Sequence, residues 1–377
     1  MRRIGALALL LVGAVAMPSA LGAGTKAAEK AAFKCARCRD TGRVPCLVHS
    51  RGGPRYKAFC SADPEPACCK GVGWTPCPKC ADEATKKRFE EIAATYERER
   101  KGEGFFPWGE KLLCAACEHF RFKAAATHSE CHEFHAVAEK AFSLFQRIFG
   151  EEGVDQLSWD RKAHFLILPS RDQYHQFLDW YKTHRNVNPN QIDFLKGGDG
   201  ARLISDRLQA IVRGLSGGGK EDKEMILHKI AHAAGHLAIE NYKTHGNTPD
   251  WLGEGFAGRS EIEALKEPRI YCIQYVAGGP GQRAPHEWRK TVRDAIVRRT
   301  IPSFPKLFEK KVGEMSVVDW SMSVSVVTWL AETQPRKMVK LMDEIKKGKD
   351  SREALEAALE KPVAEIEKDW QKWARTH

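Results

Sequence analysis

The order of apolar and polar positions predicts short strands in the middle of the chain and helices through most of its second half. Residues 118–122 alternate between polar and apolar in the manner of a strand, and 164–168 and 208–212 are short apolar runs. Apolar residues recur at helical spacing over 131–149, and a helix that contains Tyr174, Phe177 and Trp180 follows the run at 164–168. Helices dominate from Glu224 to the end, including 317–330 and 351–375. These patterns predict an α+β fold that is mainly helical and contains a small sheet.

The first 23 residues have the pattern of a secretory signal peptide. Arg2 and Arg3 precede an apolar run at 4–17, and small residues follow Pro18 up to Ala23. The apolar run is too short to span a bilayer comfortably. We therefore expect cleavage near residue 23, export to the periplasm or the exterior, and no stable membrane insertion of the mature protein.

Composition divides the remainder of the chain into four parts. Residues 24–34 read as a linker rich in alanine and lysine, and 35–81 as a module that contains eight of the twelve cysteines. Residues 82–102 have the charge pattern of a helical linker, and 103–377 the pattern of one large domain.

The net charge of +11 does not by itself indicate a nucleic-acid partner. Basic residues alternate with acidic ones, as in the stretch 86–103, which is typical of a solvated helix face. We expect no nucleic-acid binding, and the sequence does not define the oligomeric state.

The chemistry of the large domain is concentrated in a run of histidines. His228, His232 and His236 recur every four residues, and the segment W-L-G-E-G, which contains Glu254, follows downstream. Side chains at i and i+4 share a helix face and can reach one metal ion. Either His232 and His236 or His228 and His232 can form the pair, with Glu254 as the third ligand.

These residues resemble the core of the peptidase-MA-like, gluzincin-type zinc metalloproteases. The segment A-H-A-A-G-H followed by P-D-W-L-G-E-G is most similar to a secreted domain family of unknown function that carries HExxH and WLxEG, and the resemblance covers about 118–375. It implies a gluzincin-like fold for 103–377, zinc as the cofactor, and His232, His236 and Glu254 as its ligands. We prefer this register because small and apolar residues surround the two histidines.

Two positions depart from the family pattern. Ala233 stands where these enzymes have the glutamate that acts as general base, and Trp320 stands where a later helix tends to carry a tyrosine. In the alternative register Lys229 would occupy the base position. We therefore expect a pseudo-protease or binding protein that retains a metal site and takes a protein or peptide ligand.

Two other functions stay open at this point. One is an active zinc peptidase with an atypical base, for which His228 is the accessory candidate. The other is an extracytoplasmic chaperone-like factor that acts through the cysteine module.

The cysteine module contains two CxxC pairs. The string C-x-G-x-G-x-x-x-C-x-x-C, which ends at residue 80, resembles the zinc module of DnaJ-type chaperones. Two CxxC turns can supply four thiolates to one metal, and the predicted zinc ligands are Cys35, Cys38, Cys77 and Cys80. Export favours disulfides instead, so both readings remain open for a zinc-ribbon-like module.

The remaining cysteines give weaker signals. A second zinc site would use Cys46, His49, Cys60 and either Cys68 or Cys69. Cys114 and Cys117 would either staple the start of the large domain or bind a further metal with Cys131 and His135. Cys272 has no sequence partner, and we expect it to be buried.

Overall fold

The computed structural model describes most of the chain from residue 34 to the C-terminus. The described residues are 34–38, 41–45, 59–60, 69–70, 72, 74–100, 112–158, 162–185, 189–198, 200–203, 206–213, 219–270, 272 and 287–377. The predicted signal peptide at 1–23 lies outside them. Among the described residues, no helix has both the length and the apolar character that crossing a membrane requires.

The described strands form two sheets. The strands are β1 (Arg43–Pro45), β2 (Phe59–Cys60), β3 (Trp74–Pro76), β4 (Leu113–Ala116), β5 (Phe120–Ala124), β6 (Ala163–Leu168), β7 (Gly200–Leu203) and β8 (Leu208–Val212). Strands β1 and β3 form a small antiparallel pair, and the other six form a sheet in the order β2-β4-β5-β6-β8-β7. Its centre, β5-β6-β8, is parallel, whereas β2, β4 and β7 pair antiparallel to their neighbours.

Helices make up most of the rest of the described chain. They are α1 (Glu83–Arg100), α2 (His128–Asp155), α3 (Arg171–Arg185), α4 (Pro189–Lys196), α5 (Gly219–Glu240), α6 (Asp250–Leu265), α7 (Trp288–Val297), α8 (Phe304–Phe308), α9 (Val317–Thr333), α10 (Pro335–Lys346), α11 (Ser351–Leu359) and α12 (Val363–Ala374). The predicted α+β class, mainly helical with a small sheet, is confirmed.

The central strands are buried on both faces. In β6, Phe165 and Ile167 pack into the larger core with α2 and α5, whereas Leu166 and Leu168 pack into a smaller core with α3 and α4. A strand covered on both sides has no solvated face, so its sequence is a continuous apolar run rather than an alternating one.

Two glycines allow the helices of the larger core to pack closely. A Cβ atom at Gly235 of α5 would lie 2.6 Å from Ser260 Oγ on α6. At Gly255 of α6, it would lie 2.5 Å from the backbone oxygen of Ser323 on α9. The last glycine of W-L-G-E-G is therefore required for the packing of α6 on α9, and the close contact of α5 with α6 brings their polar side chains together.

Several predicted elements are confirmed and one is wrong. The apolar runs at 164–168 and 208–212 are β6 and β8, and the helix expected at 131–149 is the part of α2 that precedes a kink at Gly150. The single helix expected over 351–375 is two helices, because Glu360 adopts a left-handed conformation with φ of 61° and Pro362 follows. A residue before proline is sterically disfavoured in the helical region, so the chain breaks there.

The cysteine-rich segment contacts both the charged helix and the large sheet. Trp74 of β3 packs edge-on against Phe89 of α1, with ring centroids 5.5 Å apart. Strand β2 pairs with β4, which aligns Phe59 with Ala116. The segment around the cysteines therefore extends the six-stranded sheet at its outer edge.

Candidate metal centre

Helices α5 and α6 bring three buried polar side chains to one point. His232 and His236 lie one turn apart on α5, and Glu254 lies on α6 between Gly253 and Gly255. The exposed fractions of the three residues are 3%, 1% and 1%. Buried polar groups normally have hydrogen-bond partners, so a cluster of three in a helical core requires a physical explanation.

The donor atoms of this cluster face one another. Nε2 of His236 lies 3.2 Å from Nε2 of His232 and 3.2 Å from Oε1 of Glu254. Nε2 of His232 lies 3.8 Å from Oε2 of Glu254. Donor atoms around a tetrahedral zinc are separated by about 3.3–3.8 Å, given its usual bond lengths, so the three side chains have the spacing of a metal site.

The opposite ring nitrogens of the two histidines face carboxylates. Nδ1 of His236 lies 2.8 Å from Oε1 of Glu240, and Nδ1 of His232 lies 3.4 Å from Oε2 of Glu261. A carboxylate accepts a proton donor, so Nδ1 of His236 carries the hydrogen and its Nε2 presents a lone pair. Nδ1 of His232 faces Glu261 but makes no hydrogen bond within the described residues. Histidine ligands of metals usually make this kind of outer contact, which fixes the tautomer and the ring orientation.

The inward-facing atoms satisfy one another poorly. Neither oxygen of Glu254 accepts a well-formed hydrogen bond within the described residues. Two Nε2 lone pairs 3.2 Å apart repel each other unless a cation or a proton lies between them. The two imidazoles and the carboxylate therefore fit a divalent metal ion, which would satisfy all three at once.

Electrostatics hold His232 and Glu254, but not His236, in the protonation states that bind metal. Burial and the neighbouring His236 lower the pKa of His232 to about 3. Burial alone would raise the pKa of Glu254, but His236, His232 and Arg202 together lower it to about 2. Burial and Arg202 lower the pKa of His236, yet Glu240 and Glu254 outweigh them and raise it overall. With no metal bound, His236 is thus the group most inclined to take up a proton.

Cys272 joins this cluster, which corrects the expectation that it is buried without a partner. Its Sγ lies 3.3 Å from Nε2 of His232 and 3.6 Å from Nε2 of His236, and the residue is partly exposed. The ligand atoms of all four residues, His232, His236, Glu254 and Cys272, lie within 4.8 Å of one another. No spacing rule connects Cys272 to the histidine helix, so sequence reasoning missed it.

Three other residues that the sequence singled out lie near the site but outside the cluster of donor atoms. His228 lies one turn earlier on α5, and its Nδ1 is 2.6 Å from Oε1 of Glu261, so it orients that carboxylate rather than joining the cluster. Ala233, at the base position, is 4% exposed and belongs to the larger core. Trp320 is fully buried against Gly258 of α6, where it has the place of a core residue.

The four predicted cysteines of the small module also come together. Strands β1 and β3 pair antiparallel and bring the two CxxC turns side by side. The four Sγ atoms of Cys35, Cys38, Cys77 and Cys80 lie within 4.8 Å of one another. The Sγ atoms of Cys38 and Cys80 are 3.0 Å apart and those of Cys35 and Cys77 are 3.8 Å apart, distances longer than a disulfide bond.

The thiol of Cys35 is already biased towards the thiolate. Backbone N–H groups of Cys38 and Arg37 donate to it and lower its pKa to about 6. The pKa of Cys80 is raised, chiefly because it donates a hydrogen bond to Cys38. Thiolates are the metal-binding form of cysteine, so a cluster that contains one at neutral pH is suited to a soft metal ion.

The weaker cysteine predictions are only partly covered by the described residues. Cys46, His49 and Cys68, and the side chain of Cys60, lie outside them. Cys114, Cys117, Cys131 and His135 are buried, but they do not form a cluster of three or more metal-binding atoms within the described part of the chain. The thiol of Cys117 instead donates to the carbonyl oxygen of Phe120.

We expect Glu240→Gln to lower the metal affinity of the histidine site about tenfold to a hundredfold, because the outer carboxylate orients His236 and raises its basicity. Glu261→Gln should have a similar effect through His232. Metal affinity is measured by competition with a chromogenic chelator. Glu263→Gln is the matched control, because this α6 glutamate pairs with Arg147 and Arg259 rather than with the histidines. Equal affinities in all three variants would contradict the proposed roles of Glu240 and Glu261.

Comparison with known proteins identifies no family for this chain. No protein-family model matches the chain, and a search of curated proteins gives no match either. The resemblance to gluzincin-type metalloproteases therefore rests on the sequence of the histidine helix and of the W-L-G-E-G segment.

Proposed function

We propose that this protein is an exported, gluzincin-like zinc protein that has lost peptidase activity and serves as a binding protein for a protein or peptide. The observation that supports the metal is the pair of Nε2 atoms of His232 and His236, which face each other 3.2 Å apart beside Glu254. Zinc is the metal proposed because two imidazoles and a carboxylate are its usual ligand set in this class of site.

The loss of catalysis is inferred from the residue beside the first ligand. Peptide hydrolysis requires a group that takes a proton from the attacking water and returns it to the leaving amine. A methyl side chain at Ala233 cannot do this. His228 is one turn away and is engaged by Glu261, so it is held away from this role. Loss of the general base alone costs about 10²–10⁴ in rate.

A peptide ligand is supported by the position of β7 at the edge of the sheet. In the described sheet β7 is the last strand, and its Arg202 lies 3.5 Å from Glu240, the carboxylate behind His236. An edge strand can accept an extended peptide through backbone hydrogen bonds. A peptide bound there would lie next to the metal centre without being cleaved.

The cysteine cluster has a structural role in this proposal. A zinc ion held by Cys35, Cys38, Cys77 and Cys80 would fix the small module, which is too small to form a sizeable apolar core. A closed set of four thiolates leaves no position for a substrate, so the proposed binding function belongs to the large domain.

The proposal is tested with the zinc-loaded full chain and a fluorogenic peptide library. We expect the wild type to hydrolyse no peptide faster than the zinc-free protein or the Glu254→Ala variant. If the wild type cleaves the library, and Glu254→Ala abolishes that cleavage, the protein is an active peptidase and the proposal is wrong.

A further inference from the structure

We infer that Cys272 is the fourth ligand of the metal held by His232, His236 and Glu254, and that its thiolate closes this site to water. The inference rests on the proposed function, because it concerns the same metal. A fourth protein ligand would change the chemistry that the metal centre supports. Catalytic zinc sites keep one position open for water or substrate, whereas structural sites use four protein ligands.

The geometry places the sulfur where a fourth ligand belongs. The Sγ atom of Cys272 lies 3.3 Å and 3.6 Å from the inward-facing nitrogens of His232 and His236. These separations are close to the donor spacing of a tetrahedral zinc that includes a sulfur ligand, about 3.5–3.8 Å. Glu254 completes the set, and the absence of a well-formed hydrogen bond to either of its buried oxygens points independently to a cation at this place.

The chain before Cys272 is fixed by contacts to the same helices. After α6 ends, the backbone N–H groups of Arg269 and Ile270 donate to the carboxylate of Glu261. The guanidinium of Arg269 lies 3.2 Å from Glu224 on α5, and Ile270 is buried. Glu261 therefore holds both the histidine helix and the residues that lead to Cys272, so the thiol is placed by the fold.

A bound divalent metal would favour the thiolate form of Cys272. A divalent metal with only Glu254 as a charged ligand would leave a net positive charge in a buried site. The thiolate of Cys272 neutralises it. The outer carboxylate Glu240 is separately balanced by Arg202, whose Nε lies 3.5 Å from Oε2. An uncompensated buried charge is costly, so a second anionic ligand beside Glu254 would favour a divalent metal at this place.

Cadmium-113 NMR of the full chain tests this inference, because the chemical shift reports the number of sulfur ligands and resolves two sites in one protein. We expect two resonances in the wild type. The one from the four-cysteine cluster should lie far downfield, and the one from the histidine site at the position for a single sulfur. Cys272→Ser should move the second resonance upfield or abolish it and leave the first unchanged.

Two further variants separate the possible outcomes. Cys117→Ala removes a buried cysteine outside both clusters and should change neither resonance. His232→Ala/His236→Ala should abolish only the second resonance. If the second resonance is lost in the double variant but unchanged in Cys272→Ser, Cys272 is not a ligand. If the double variant loses no resonance, the metal site itself is refuted, and with it the proposed function. A far-UV circular dichroism melt of each variant confirms that it is folded.

Discussion

The variant Ala233→Glu/Cys272→Ser is expected to hydrolyse peptides in the presence of zinc, whereas the wild type and both single variants are expected not to. Two separate obstacles would prevent catalysis in the wild type. Ala233 provides no general base, and the sulfur of Cys272 lies 3.3 Å from a histidine ligand, at the position a water would need. Removing one obstacle leaves the other, so the effects of the two changes are not additive.

The size of the expected rate increase follows from the general base that Ala233→Glu introduces. General acid–base catalysis contributes about 10²–10⁴ in rate, and we expect the double variant to exceed its matched control by at least about 10². The control is Ala233→Gln/Cys272→Ser, which has the same shape and cannot accept the proton. Rates are measured on a fluorogenic peptide library with and without zinc.

Two outcomes would contradict this prediction. If Ala233→Glu alone is as active as the double variant, the thiol does not close the site. If the folded, zinc-loaded double variant is no faster than the glutamine control, the domain is not a peptidase fold that lacks only these two groups.

Removal of the metal from the histidine site is expected to lower the melting temperature of the large domain by about 10 °C. A ligand present at about a thousandfold excess over its dissociation constant stabilises the folded state by about 4 kcal/mol, and each kcal/mol corresponds to about 2–4 °C in a domain of this size. Without the metal, Glu254 and the two facing histidines remain buried and poorly satisfied. The measurement is differential scanning calorimetry with and without a chelator.

Two variants show which metal site is responsible for the fall in melting temperature. The melting temperature of the large domain in Cys35→Ser/Cys38→Ser should still fall when the chelator is added. In His232→Ala/His236→Ala it should already be low and should not change with the chelator. A chelator effect of equal size in both variants would contradict a stabilising metal at the histidine site.

Metal binding at the histidine site is expected to depend on pH. Metal binding requires His236 to be neutral, and its pKa in the metal-free protein is raised by Glu240 and Glu254. Protons therefore compete with the metal from above pH 6.5 downwards, and apparent affinity falls as the pH is lowered. The stabilisation by metal is thus present at higher pH and lost on acidification.

The elements with strong local patterns could be predicted from the sequence. The strand β6 is a continuous apolar run, and helix α9 has helical spacing and begins at a capping serine, Ser316. Strands β4 and β7 could not be predicted. Strand β4 reads L-C-A-A and β7 begins at Gly200, so neither has the β-branched or aromatic residues typical of strands. Their conformation is imposed by pairing with β5 and β8.

The residues of the candidate site also divide into those that the sequence predicts and those that it does not. The sequence placed His232, His236 and Glu254 together because helical periodicity and a familiar motif relate them, and the structure brings their donor atoms together. The outer carboxylate Glu240 follows His236 by four residues on α5, so helical periodicity could have found it. The thiol of Cys272 carries no such signal. It reaches the centre through the packing of α6 on α5 and the return of the chain to Glu261, which are properties of the tertiary fold.

The central claim is tested most directly by zinc per chain, measured by plasma mass spectrometry on the purified full chain and on His232→Ala/His236→Ala. We expect two zinc ions in the wild type and one in the double variant, the remaining ion being held by the four-cysteine cluster. Equal zinc content in the two proteins would show that the histidine helix binds no metal and would contradict the account.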